Sequence, residues 1–207
     1  MKDIHEYQKD IASIRTMMER SAKFLSLSGL AGVMAGIYAL IGTLVAYRLV
    51  HYPLSPLDYR QYSIRNSDTL LQLILIAIAV LVASISTGLW LSHRKAKKHG
   101  VKLWNSASRI MLINVSIPLV TGGIFVLIML FTGHFGLAAP SCLIFYGIAL
   151  IQGSTNSFDE IRYLGYCEIL LGLVSSLWPG YGLLFWGLGF GILHIVYGGI
   201  MYNKYDK

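Results

Sequence analysis

Three stretches of this chain, Phe24 to Tyr47, Thr69 to Ser92 and Ile110 to Gly133, contain no charged residue. At 1.5 Å of helical rise per residue, each can cross a hydrocarbon core of roughly 30 Å with some tilt. Two shorter apolar stretches, Leu137 to Gln152 and Tyr163 to Trp178, lie near the lower limit for spanning, and Leu183 to Tyr202 is of full length. The composition agrees: 55% hydrophobic against 13% charged residues is more apolar than a soluble domain can present to water. The expectation is an all-α, polytopic integral membrane protein. Its six transmembrane helices fall at 24–50, 69–92, 109–132, 137–153, 162–178 and 182–202, within a transmembrane domain of 24–203. A cytoplasmic segment at 1–23 precedes them and a short tail at 204–207 follows.

The first apolar run is too long for the core of a signal peptide and follows a charged segment, so it is expected to be retained as the first span. With the N-terminus in the cytoplasm, 14 of the 17 basic residues fall on the inner side, and only Arg48, Arg60 and Arg65 lie outside. The positive-inside rule therefore places both termini in the cytoplasm of a cell or inner membrane. The net charge of +7 is explained by this sorting, and no nucleic-acid-binding signature accompanies it. Arg94, Lys95, Lys97 and Lys98 are expected to form a basic loop after the second span. Such a loop fixes topology and attracts anionic lipid headgroups, each basic residue contributing roughly 1 kcal/mol.

Within 1–23, Asp3-Ile4-His5-Glu6 resembles a capping box, and Ile4, Tyr7, Ile11, Ile14 and Met18 recur at helical spacing. This amphipathic helix could lie on the membrane, pair with a second copy or dock a protein partner. The 51–68 loop carries Pro53, Pro56, Tyr59 and Tyr62, which suits an extended cap at headgroup level. Gly133 to Gly136 and Trp178 to Gly182 leave room only for tight turns, so spans three and four, and spans five and six, must be antiparallel neighbours. A three-plus-three division would invert the two halves, as in many transporters, but residues 24–32 set against 163–172 give only a faint echo.

Glu168 is the one carboxylate inside the apolar stretches. An acid in hydrocarbon is costly and ordinarily faces a bundle interior or a wet cavity, where it takes part in function. It lies ten residues in from Trp178, and His194 lies eleven in from Leu183, so both sit roughly 15 Å deep, near the midplane. Gly165, Glu168, Gly172 and Ser175 share one helix face, and Gly187, Gly191, His194 and Gly198 share another. Small residues allow close helix approach, so both polar groups belong to packed faces. Burial disfavours charge on either group and proximity favours it, so a proton shared between them is expected, as a proton acceptor or pH sensor. The plainer alternative is a neutral acid tying helices together, worth about 0.6 kcal/mol per hydrogen bond. Tyr146, Tyr38 and Thr121, at similar depth, are candidates to line a cavity with the pair.

The two cysteines, Cys142 and Cys167, lie in separate spans as packing residues, and His51 and His134 stand alone at the outer surface, so no metal site is expected. No metalloprotease, hydrolase or nucleotide-binding motif occurs, and no cofactor is implied. An enzyme is the least supported class. Three readings stay open: a small transport or permeation protein using the Glu168 and His194 site; a non-catalytic accessory or sensory module binding a partner through the N-terminal helix and the basic loop; and, least supported, an enzyme acting on a lipid or quinone in the Glu168 cavity.

Overall fold

The computed structural model describes residues 27–51, 67–98, 106–155, 157–178 and 180–207, together with Ile11, Gly100 and Trp104. The amphipathic helix expected at 1–23, Ile11 apart, and the Pro- and Tyr-containing cap between 51 and 68 lie outside the described residues. All regular structure among the described residues is helical. The helices are α1 (Gly29–His51), α2 (Ser67–Lys98), α3 (Ser106–Phe131), α4 (Ala138–Ser154), α5 (Asp159–Leu177) and α6 (Gly182–Tyr205). A 3₁₀ turn at Phe135–Leu137 leads into α4.

Five of these segments are long and apolar enough to cross a membrane. The exception is α5, whose 19 residues include Asp159, Glu160, Arg162 and Glu168. Along α2 and α3 most large apolar side chains, among them Leu75, Leu81, Val120 and Ile124, face outward. That perimeter is too apolar for water and suits lipid.

The helix limits differ from the apolar stretches for local reasons. Ser28 Oγ and the Gly29 N–H both donate to Asp206 Oδ2, at 2.8 and 2.9 Å, which fixes the start of α1 at Gly29 rather than near Phe24. α2 runs on through Lys98 until Gly100, whose φ of 66° ends it. Arg94, Lys95, Lys97 and Lys98 therefore ride on the end of a helix and not in a loop, because the helical backbone continues unbroken through Lys98. Likewise most of the tail expected at 204–207 belongs to α6 or its cap. Gly133 and Gly180, with φ of 80° and 107°, make the two tight turns.

Contacts divide the bundle into two units of three helices. α1 packs on α2 and α6, and α4 packs on α3 and α5; between the units, contacts are confined mainly to α5 and α6 and to the start of α6 against α4. Glycines give the units the same geometry. A methyl group added at Gly36 of α1 would lie 2.6 Å from the Gly191 carbonyl oxygen and 2.7 Å from Ile195 Cγ1. One added at Gly147 of α4 would lie 2.6 Å from the Gly165 carbonyl oxygen and 2.7 Å from Ile169 Cγ1. Gly198 meets the Gly29 carbonyl and the Val33 N–H, while Gly172 meets the Pro140 carbonyl and the Ile144 N–H. Gly42 abuts Val80 of α2, and Gly153 abuts Val115 of α3.

These correspondences pair α1 with α4, α6 with α5 and α2 with α3, and each pair runs in opposite directions. The internal echo is thus not the one between 24–32 and 163–172. It lies in Gly36 to Gly42 against Gly147 to Gly153, and in the pattern Gly165, Glu168, Ile169, Gly172 against Gly191, His194, Ile195, Gly198. The terminal end of the bundle holds Ser28 and Asp206, and the hairpin end holds the turns at Gly133 and Gly180.

Candidate functional site

Glu168 and His194 occupy equivalent positions in the two units and meet at the middle of the bundle. Phe158, with extended backbone, caps the start of α5, and Asp159 and Glu160 lie in its first turn, where carboxylates favour a helix N-terminus. Three turns on, Glu168 is fully buried. α6 changes pitch beneath it: Gly187–Leu193 forms wide π turns before α-helix resumes at His194. Such turns are rare and recur at functional sites.

The imidazole is held from both sides. His194 Nδ1 lies 3.0 Å from the Gly189 carbonyl oxygen and 3.4 Å from Glu168 Oε1. A carbonyl can only accept, so Nδ1 carries a hydrogen. His194 Nε2 lies 2.8 Å from the Tyr146 hydroxyl, which donates when the ring is neutral and accepts when it is charged. Tyr146, Phe190, His194 and Trp186 pack ring against ring, with Tyr146 to Phe190 at 5.0 Å and Trp186 to Phe190 at 5.1 Å.

Glu168 is less well provided. Neither of its oxygens has a hydrogen-bond partner, since the 3.4 Å approach of His194 is long and the ring hydrogen is committed to Gly189. A methyl group at Gly189 would lie 2.5 Å from both Glu168 Oε2 and Leu143, so only glycine leaves the carboxyl its place. Ser175, two turns along the same face of α5, is also fully buried with an unpartnered hydroxyl. Among the described residues, these are the buried side-chain polar atoms left without a partner.

Of the residues expected to gather here, Tyr146 does and two do not. Tyr38 turns toward α2 and shares a 3.2 Å hydrogen bond with Thr87. The face of α1 that meets α6 belongs instead to Gly32 and Gly36. Thr121 lies on the exposed side of α3, because its neighbour Gly122 occupies the face packed on Phe145.

The basic residues also separate. Arg94, Lys97 and Lys98 are exposed, and Arg94 stands over the Trp90 ring. Lys95 points inward, where its ammonium donates to Asp206 Oδ1 at 2.6 Å and to the Leu27 carbonyl at 2.9 Å. Burial alone would raise the Asp206 carboxyl, but hydrogen bonds from Lys95 and Ser28, the Lys95 charge and the Gly29 N–H hold it below its ordinary range. Nearby, Glu160 accepts from Lys204 at 2.6 Å and from Tyr205 at 3.1 Å. No residue spacing announces these stitches, for Lys95 and Asp206 are 111 positions apart.

Fold and site together define a helical bundle of membrane character with a buried acid–imidazole couple between two inverted units. No family model matches the chain, and neither curated proteins nor solved structures give a match.

Proposed function

We propose that the chain is a six-span membrane protein with both termini cytoplasmic, and that it is a small transport or permeation protein whose proton- or cation-sensitive site is Glu168, His194 and Tyr146. One observation carries the reading: a fully buried carboxyl with no hydrogen-bond partner beside an imidazole that is itself fully engaged. A carboxyl retained only to join helices would be expected to find partners, since an unpaired buried polar group costs about 1–3 kcal/mol. An acid that takes up and releases a proton or cation is instead paired in one state and not in another.

The orientation rests on the distribution of basic residues and on the exposed Trp90, Arg94, Lys97 and Lys98 at the terminal end, a composition suited to anionic headgroups. In this reading α5 counts as the sixth span, its charged first turn lying at the interface and Glu168 at the midplane.

The test uses purified protein in liposomes loaded with a pH-sensitive dye. Wild-type protein is expected to carry a proton or cation flux that E168Q and H194A abolish. Equal fluxes and equal pH responses in all three proteins would make the couple structural.

A further inference from the structure

We propose that the two inverted units give the Glu168 and His194 couple two water-borne proton routes, one toward each end of the bundle, which open in alternation. This rests on the site reading above and names the proton as the species moved.

The equivalence of the units supplies the routes. From Glu168 one face of α5 runs through Gly172 to Ser175, toward the hairpin end; from His194 the matching face of α6 runs through Gly198 to Met201, toward the terminal end. Each route covers seven residues, roughly 10 Å of helix. Ser175 and Met201 hold equivalent positions on opposite halves of the bundle.

Their surroundings differ. Met201 packs against Phe158 and Ile161, with Leu27, Leu150 and Tyr205 around them. Beyond that plug lie the Lys95 to Asp206 and Lys204 to Glu160 ion pairs. The terminal route is therefore shut twice, by apolar packing and by charge pairing across helices. On the hairpin side the equivalent residue is a serine, and its hydroxyl and both Glu168 oxygens want hydrogen-bond partners. Buried polar groups of this kind are met by ordered water, through which a proton can pass.

The structure is thus an occluded form: the terminal end is shut by packing and charge pairing, Ser175 at the hairpin side is fully buried as well, and opening to either end is a minor state. Packing is dense within each unit and sparse between them, so one unit can rock against the other about the couple, as inverted repeats do in transporters. The titratable groups facing Glu168 are His194 on α6 and Tyr146 on α4, with Cys167 and Tyr197 joined at 3.5 Å beside it. In the described form the long 3.4 Å contact fits an uncharged acid beside a neutral ring. Moving the proton to the imidazole would create a charged pair that draws the units together differently.

The test is cysteine accessibility in the full chain carrying Cys142→Ala and Cys167→Ala, reconstituted in liposomes. S175C and M201C are introduced singly, each with and without E168Q, and treated with a membrane-impermeant cationic thiosulfonate from either side. Gln mimics the uncharged acid at every pH, so E168Q should speed labelling of S175C and slow that of M201C. Because both openings are minor states, each populated to at most about 10%, the expected change at either probe is on the order of tenfold. Unchanged rates, or both rates moving in one direction, would overturn alternation. S175C is nearly isosteric and carries the test alone if M201C does not fold: its rate must rise with E168Q.

Proton uptake by the same liposomes separates the two claims. A Glu168-dependent uptake with fixed labelling removes alternation and leaves the site. Opposed labelling changes without such uptake leave two moving units and remove the proton.

Discussion

The middle of the bundle and its terminal end both pair an acid with a base, and they do so in opposite ways. At the terminal end Asp206 and Glu160 receive short, well-directed hydrogen bonds of 2.6 to 3.1 Å, and each oxygen of these carboxyls accepts at least one. In the middle, Glu168 accepts no hydrogen bond at all and meets His194 only at 3.4 Å. At the terminal end the chain uses charge to fasten helices. In the middle the chain leaves an acid unfastened, so no hydrogen bond has to break when its state changes.

The comparison can be broken by removing each acid in turn. D206A strands Lys95, whose side chain is only 11% exposed, and loses the cap on α1, so the melting temperature in detergent should fall by the equivalent of about 2 kcal/mol. E168Q should leave the melting temperature unchanged or slightly higher, because no hydrogen bond to the acid is lost. If E168Q destabilises the protein as much as D206A, the middle couple is a fastening like the other.

Acid should act on the terminal end first. The folded-state pKa of Asp206 is depressed below its ordinary 3.8, so its stabilisation is present in full above that value and is lost as pH falls through the lowered one. Glu160, held below 4.5 by Lys204 and Tyr205 against the effect of burial, behaves in the same sense. Wild-type melting temperatures measured from neutral pH downward should therefore drop steeply in this acid range, and those of D206N should drop less.

The exposed cations sharpen the contrast between inward and outward charge. R94A, K97A and K98A should each weaken binding of detergent-solubilised protein to anionic lipid nanodiscs by about 1 kcal/mol, and salt should reduce the effect. K95A should leave lipid binding unchanged and lower stability instead. The smallest effect is expected of Y146F, which removes the bond to His194 Nε2. It should cost about 0.6 kcal/mol, read as a small loss in melting temperature with an altered His194 ring resonance in NMR.

Much of the middle was legible in the chain itself. Depth and face placed Glu168 beside His194, because a hairpin with a tight turn fixes the register of its two helices. Tyr146 follows from depth alone, and depth alone also admits Tyr38 and Thr121, which the bundle turns elsewhere: distance along a helix axis says nothing about rotation around it. The wide turns at Gly187–Leu193 were hidden, since glycine-rich sequence reads equally well as ordinary helix. They matter, for they set the Gly189 carbonyl under the imidazole.

The inverted units were hidden for another reason. α1 pairs with α4, but α2 pairs with α3 and α6 with α5, so no shift of one half along the other aligns them. Gly36 with Gly147, Gly42 with Gly153, and Gly172 with Gly198 reveal the relation through what each touches. The inward turn of Lys95 depended on Asp206 at the far end of the chain, and a run of basic residues gives no sign of which member faces in.

The central claim is that Glu168 gains and loses a proton within the folded bundle, and infrared difference spectroscopy of the reconstituted protein across a pH titration tests it most directly. A protonated-carboxyl band that disappears as pH rises in wild type, is absent in E168Q and shifts its midpoint in H194A is the predicted result. A wild-type spectrum with no titrating carboxyl band, or one that E168Q leaves in place, would contradict it.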